Sequence, residues 1–165
     1  MDAKVDDFRQ AIETNFISPV QITQKLLLSM LKKRHGSILN VVTSGARCAL
    51  PFFTAYASSK AALWSWSEAL SRELTSTGVH VMTFVPPRMS TSTNKRLGRK
   101  ALAHYSPGNQ TISSTNNLDQ IAEMAIEALL QKQSFVAPFS VRIKIALNAL
   151  FYKSITKKIL RFWKA

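Results

Sequence analysis

Apolar residues along this 165-residue chain alternate between a helical period and short unbroken runs. Across residues 6–34 they recur at Phe8, Ile12, Phe16, Val20, Leu27 and Leu31, close to 3.6 residues apart, which predicts a helix. Asp6 or Asp7 is placed to cap its start. Lys32, Lys33 and Arg34 followed by Gly36 mark its end, where cations suit the helix dipole and glycine suits a left-handed cap. "SILNVV" (37–42) is short, apolar and β-branched, the pattern of a buried strand. A loop, "TSGARCALPFFT", leads into a predicted helix at 55–74. "GVHVMTFV" (78–85) is a second buried strand, stopped by Pro86 and Pro87. Residues 86–117 have few apolar anchors and read as a long mobile loop with one short helix. Residues 117–133 read as a helix with Asn117 or Asp119 near its cap, "SFVAPF" as a third strand, and the stretch from Val141 as helix.

Strands separated by helices imply a parallel sheet joined by right-handed crossovers, so the expected class is α/β. The length suits one domain, and a 46% share of hydrophobic residues supports a real core. Cys48 is the sole cysteine, which excludes an internal disulfide and a cysteine-rich metal site and fits a reducing compartment. The opening "MDAKVDDFRQ" is acidic and polar, unlike a signal peptide, and no apolar run reaches the roughly 18–20 residues of a membrane span. The expected location is therefore cytoplasmic. His35, His80 and His104 are scattered without metal-ligand spacing, and Asn109-Gln-Thr111 is a sequon without a secretory context.

The net charge of +13 opens three classes of partner: nucleic acid, an anionic membrane surface, or a phosphorylated ligand. The charge gathers in "RMSTSTNKRLGRK" (88–100) and after Ser140, and no Asp or Glu follows Glu127. "NKRLGRK" fits a solvated loop beside a substrate cleft better than a nucleic-acid patch. Trp64 and Trp66 are assigned to packing or to a subunit face, the latter implying a homo-oligomer.

In "AYASSKAAL" (55–63), Tyr56 and Lys60 are four apart and share one helical face. A phenol with a pKa near 10 is a poor base at neutral pH, and an adjacent ammonium is expected to lower it. The small neighbours Ala57, Ser58, Ser59, Ala61 and Ala62 leave room for a ligand. The pair follows a strand and the small-residue turn Thr43, Ser44, Gly45, at the end of a parallel strand where open α/β sheets place their sites. Pro19 has no N–H, so the Asn15 carbonyl loses its helical partner and needs water or another donor.

Taken together, "GSILNVVTSGARCALPFFTAYASSKAAL" resembles the short-chain dehydrogenase/reductase family, with its order of strand, Ser/Thr and Tyr-x-x-x-Lys. The resemblance runs from about Asp6 to Phe139 and implies a partial Rossmann-like, doubly wound parallel sheet of about three strands. It also implies hydride transfer between NAD or NADP and a small-molecule alcohol or carbonyl, lipid-like in some members. Tyr56 would then give or take the substrate proton, and Lys60 would tune Tyr56 and hold the nicotinamide ribose. The family's catalytic serine lies thirteen residues before the tyrosine, which here is Thr43, with Ser44 as the alternative. Asn15 corresponds to the asparagine that holds a relay water. Pro86 and Thr91 match the turn that meets the nicotinamide, although Pro87 stands where the family has glycine.

The family's glycine-rich phosphate turn is absent from these 165 residues, and so is its Asn-Asn-Ala-Gly stretch. Roughly 90 residues of βαβ structure are lacking by comparison, at about 30 per unit. The expectation is a C-terminal or truncated part, inactive alone, with residues 1–140 as the catalytic part. Residues 141–165 form a basic amphipathic segment, with Ile143, Leu147, Leu150, Phe151, Ile155, Ile159 and Phe162 on an apolar stripe and Lys153, Lys157, Arg161 and Lys164 on a basic one. That pattern fits a helix on an anionic membrane, or one packed on a subunit or over the substrate cleft. A non-catalytic α/β module that binds a membrane or partner through this tail is the alternative function.

Overall fold

A computed structural model describes residues 3–87 and 117–152. A long N-terminal helical stretch comprises α1 (Val5–Ile12), a π-helical turn (Glu13–Ile17) and α2 (Ser18–Lys33). β1 (Gly36–Val41), a 3₁₀ turn (Ser44–Ala46), α3 (Thr54–Glu73) and β2 (Val79–Phe84) follow. The described chain resumes with α4 (Leu118–Leu130), β3 (Phe135–Val136) and α5 (Phe139–Leu150). The expected loop at 86–117 lies outside the described residues except at its ends. The three strands form one sheet in the order β1-β2-β3, parallel throughout, with Gly36 opposite Val79 and Thr83 opposite Phe135. This is the three-stranded, helix-flanked part of a Rossmann-like α/β fold.

β2 explains why the sheet has two faces to fill. Side chains alternate along a strand. Val79 and Val81 pack with Leu70 of α3, with Leu74 just past its end, and with Leu27 and Met30 of α2. Met82 and Phe84 point the other way, onto Ile121, Ala125 and Ala128 of α4. A strand covered on both faces reads as a continuous apolar run. β1 was expected to be equally buried and is not: Asn40 is buried, whereas Val41 is 41% exposed. Its second edge pairs with no described strand, so one flank stays open.

The junctions also differ from expectation. Asp7 does close the first helix, but from inside it: its carboxylate accepts the Lys4 N–H at 2.8 Å. The left-handed residue that ends α2 is Arg34 (φ 49°), not Gly36, which already belongs to β1. The glycine this corner requires is Gly78. Its φ is +88°, and a Cβ there would stand 2.0 Å from the Arg34 carbonyl oxygen.

α5 lies on a separate cluster of Val42, Leu63, Trp64 and Val85, against which its Val141 and Ile145 pack. Two polar contacts tie it to the loop after β1. Asn148 Nδ2 donates to the Arg47 carbonyl at 3.0 Å, and Cys48 Sγ lies 3.7 Å from the Lys144 carbonyl. Cys48 is buried there, and that burial pushes its thiol pKa up against a smaller opposing effect of Lys144.

Candidate active site

The candidate residues converge on the C-terminal end of β1 and the first turns of α3. Tyr56 is the third residue of α3, and Lys60 follows one turn later. Both are half-buried. Lys60 Nζ donates to the Val41 carbonyl, the last of β1, at 3.0 Å. Neither ion pair among the described residues involves Lys60. An ammonium has three donors, so two remain for a ligand.

Asn15 reaches the same helix through a residue that spacing did not single out. Its Nδ2 donates to Ser59 Oγ at 3.1 Å, and Ser59 Oγ donates to the Tyr56 carbonyl at 2.8 Å. Ser59 is wholly buried. The signal available in the sequence was only its place among small residues between Tyr56 and Lys60. Asn15 sits at the centre of the π turn, where the Ser18 N–H and hydroxyl both reach the Glu13 carbonyl. Pro19 cannot return an N–H to Asn15, and the widened turn falls where that bond is missing.

Thr43 follows β1 by two residues. Its Oγ1 accepts the Gly45 N–H at 3.3 Å and so caps the 3₁₀ turn. A hydroxyl that accepts from backbone keeps its own hydrogen to donate. Ser44 contributes its carbonyl, which takes the N–H groups of Arg47 and Cys48. Pro86 is half-buried just beyond β2. Thr91 lies outside the described residues.

The electrostatics depart from the sequence expectation. Lys60 was expected to lower the Tyr56 pKa. Instead burial pushes the phenol above its usual value and pushes the Lys60 ammonium below its own. One donor of the ammonium goes to a backbone carbonyl, and desolvation dominates both groups. A buried neutral phenol of this kind can hand a proton to an oxyanion.

Beside these residues an open cleft of about 370 Å³ runs between α2 and the free flank of β1, lined by Ile22, Thr23, Leu26, Asn40, Val41 and Lys60 among others. Asn40 Nδ2 is buried and has no hydrogen-bond partner among the described residues.

Residues 1–102 match the family model described as short chain dehydrogenase. The chain belongs to the short-chain dehydrogenase family. Among curated relatives, a zebrafish (Danio rerio) Dehydrogenase/reductase SDR family member 7B is 27% identical over 136 residues, 82% of this chain and 44% of that protein. The zebrafish 17-beta-hydroxysteroid dehydrogenase type 3 is 29% identical over 147 residues, 81% of this chain and 48% of that protein. Such matches extend over about half the length of the relatives. A short-chain dehydrogenase from Streptomyces avermitilis superposes with a TM-score of 0.70 at 20% identity, covering 95% of this chain and 61% of that one. One from Burkholderia cenocepacia, solved in complex with NADP, gives 0.69 at 18% identity, covering 97% and 62%. The family to which it belongs is one of oxidoreductases. Among the described residues no helix is long and apolar enough to cross a membrane.

Proposed function

We propose that this chain carries the proton-transfer half of an NAD(P)-dependent oxidoreductase that interconverts a small-molecule alcohol and carbonyl. The observation that carries the reading is the linked set at the end of β1: Asn15 joined through Ser59 to the backbone of Tyr56, and Lys60 seated on the Val41 carbonyl. The nicotinamide end of the coenzyme fits these residues, because Lys60 has two donors left for ribose hydroxyls. Pro86 and Thr91 would border the nicotinamide. When bound, the coenzyme supplies or takes the hydride.

Each residue then has one task. Thr43, or Ser44 beside it, donates to the substrate oxygen. Tyr56 gives that oxygen its proton in the reducing direction. A bound ligand that draws Lys60 towards Tyr56 would favour the phenolate needed for the reverse direction. Asn15, whose Nδ2 is held by Ser59, offers a relay water its backbone carbonyl, which Pro19 cannot supply with an N–H. The pyrophosphate end has no counterpart among the described residues, and the 165-residue polypeptide contains no glycine-rich turn. By itself it is therefore expected neither to bind NAD(P)H tightly nor to turn over.

The test fuses the glycine-rich N-terminal half of a related short-chain dehydrogenase ahead of this chain and assays NAD(P)H-dependent carbonyl reduction. Turnover abolished by Tyr56→Phe supports the assignment. A fusion that binds coenzyme and reduces substrate equally well with Phe at 56 overturns it. Micromolar NADPH binding with turnover by the 165-residue chain alone would refute the expected dependence on the other half.

A further inference from the structure

We propose that the outer face of α5 docks on the surface of an anionic phospholipid bilayer. α5 is apolar on two opposite sides. At about 100° per residue, Val141, Ile145 and Asn148 share the side that meets the protein, and their contacts fix it there. Phe139, Ile143, Leu147 and Leu150 fall on the other side, within an arc of roughly 80°. All four are exposed: Phe139 by 76%, Leu150 by 75%, Leu147 by 44% and Ile143 by 43%. A surface helix normally turns polar groups to water on this side. Bulky apolar side chains at this spacing instead form a contiguous patch that water disfavours.

The charge around the patch selects its occupant. Arg142 borders the stripe on one flank and Lys144 on the other. The sequence beyond adds Lys153, Lys157, Lys158 and Arg161, with no acidic residue after Glu127. An apolar stripe between two cationic flanks is the pattern of a helix lying in the headgroup region of an anionic membrane. A second copy of the chain is a poorer fit. A two-fold contact through this face would set cationic flanks against each other. Because α5 is already folded and seated on the core, docking carries little ordering cost. The docking does not depend on the chain being catalytically active.

Flotation of the purified 165-residue chain with vesicles provides the test, comparing phosphatidylcholine alone with phosphatidylcholine containing phosphatidylserine. The expected result is co-flotation with the phosphatidylserine vesicles, weak association with the neutral ones, and release by added salt. The pair Ile143→Glu and Leu147→Glu, whose native side chains are partly exposed, is expected to weaken binding by about tenfold or more while leaving circular dichroism and the unfolding midpoint unchanged. Arg142→Gln with Lys144→Gln is expected to weaken it about three- to tenfold and to reduce its salt dependence. No binding to phosphatidylserine vesicles, or unchanged binding by the glutamate pair, overturns the proposal. So does a concentration-dependent dimer in light scattering that the glutamate pair abolishes, because the face would then be covered by a second copy.

Discussion

α3 and α5 meet at one cluster, to which α3 gives Leu63 and Trp64 beside Val42 and Val85 and against which α5 only packs, and they use it in opposite ways. α3 buries six residues, and three of them, Ala57, Ser59 and Ser67, are small. Small residues let its backbone settle close to the sheet, so Tyr56 and Lys60 are carried at a fixed height above the end of β1. α5 buries none of its residues fully and presents large side chains outward. α5 is the more apolar helix yet the less buried, and the two serve different ends. One is a rigid mount for chemistry, and the other is a surface. The lesson is that residue size on the buried face, more than hydrophobicity, decides how deeply a helix sits.

The sharpest way to break this contrast is truncation on each helix. Leu63→Ala in α3 is expected to cost about 2–5 kcal/mol, because it opens a cavity in the cluster. Leu147→Ala in α5 is expected to cost no more than about 0.5 kcal/mol. Urea unfolding measures both, and equal losses would make α5 as much core as α3.

A smaller effect probes the mount itself. Ser59→Ala removes the link between Asn15 and the Tyr56 carbonyl and leaves the Asn15 Nδ2 short of a partner, at a cost of about 1–3 kcal/mol. Combined with Asn15→Ala in a double-mutant cycle, it is expected to show a coupling above about 0.5 kcal/mol. Additive losses would mean that the two residues act separately.

Titration sharpens the picture further, since α3 carries both shifted groups of the candidate site. Lys60 has a folded pKa below its ordinary 10.5. Between those values the unfolded chain binds more protons, so stability rises with pH across that window. Tyr56 has a folded pKa above its ordinary 10.0, so from about that pH the folded chain holds more protons and stability falls as pH rises. Urea midpoints measured from pH ~8 to ~11 should lose the rise in Lys60→Met and lose the fall in Tyr56→Phe. Wild-type slopes in both variants would show that these groups are not desolvated as described.

The smallest effect concerns Arg47, which lies between the two helices. It pairs with Glu68 at 3.1 Å and stands 4.9 Å above the Trp64 ring. Glu68→Gln keeps an acceptor for Trp64 Nε1 and removes the ion pair, which is half exposed. A loss within about 1 kcal/mol is expected by thermal unfolding.

The elements were legible where local pattern and burial agree. β2 is covered on both faces and shows as a mostly apolar run interrupted only by His80 and Thr83, and α3 lies within a residue of its expected span. Tyr56 and Lys60 could be read from spacing and from their place after a strand. Ser59 could not, because a serine among alanines carries no mark of the distant Asn15 it will meet. The π turn was foreshadowed by Pro19 only as a missing bond. β1 was misjudged because burial of a strand depends on its neighbours in the sheet, not on its own residues. The direction of the Tyr56 shift was missed for a similar reason: four-residue spacing conveys proximity, but desolvation belongs to the folded surroundings. Arg34 holds the left-handed position where Gly78 comes close to its backbone, an approach between residues far apart in sequence.

Cys48 gives this molecule a built-in clock. It is the chain's one thiol, 6% exposed beneath α5 and raised in pKa. A thiol reagent can modify it only as often as the helix lifts away, so the rate of labelling counts those openings. If vesicles hold α5 by its outer face while its inner face stays seated, the clock slows; if they peel the helix from the core, it runs fast.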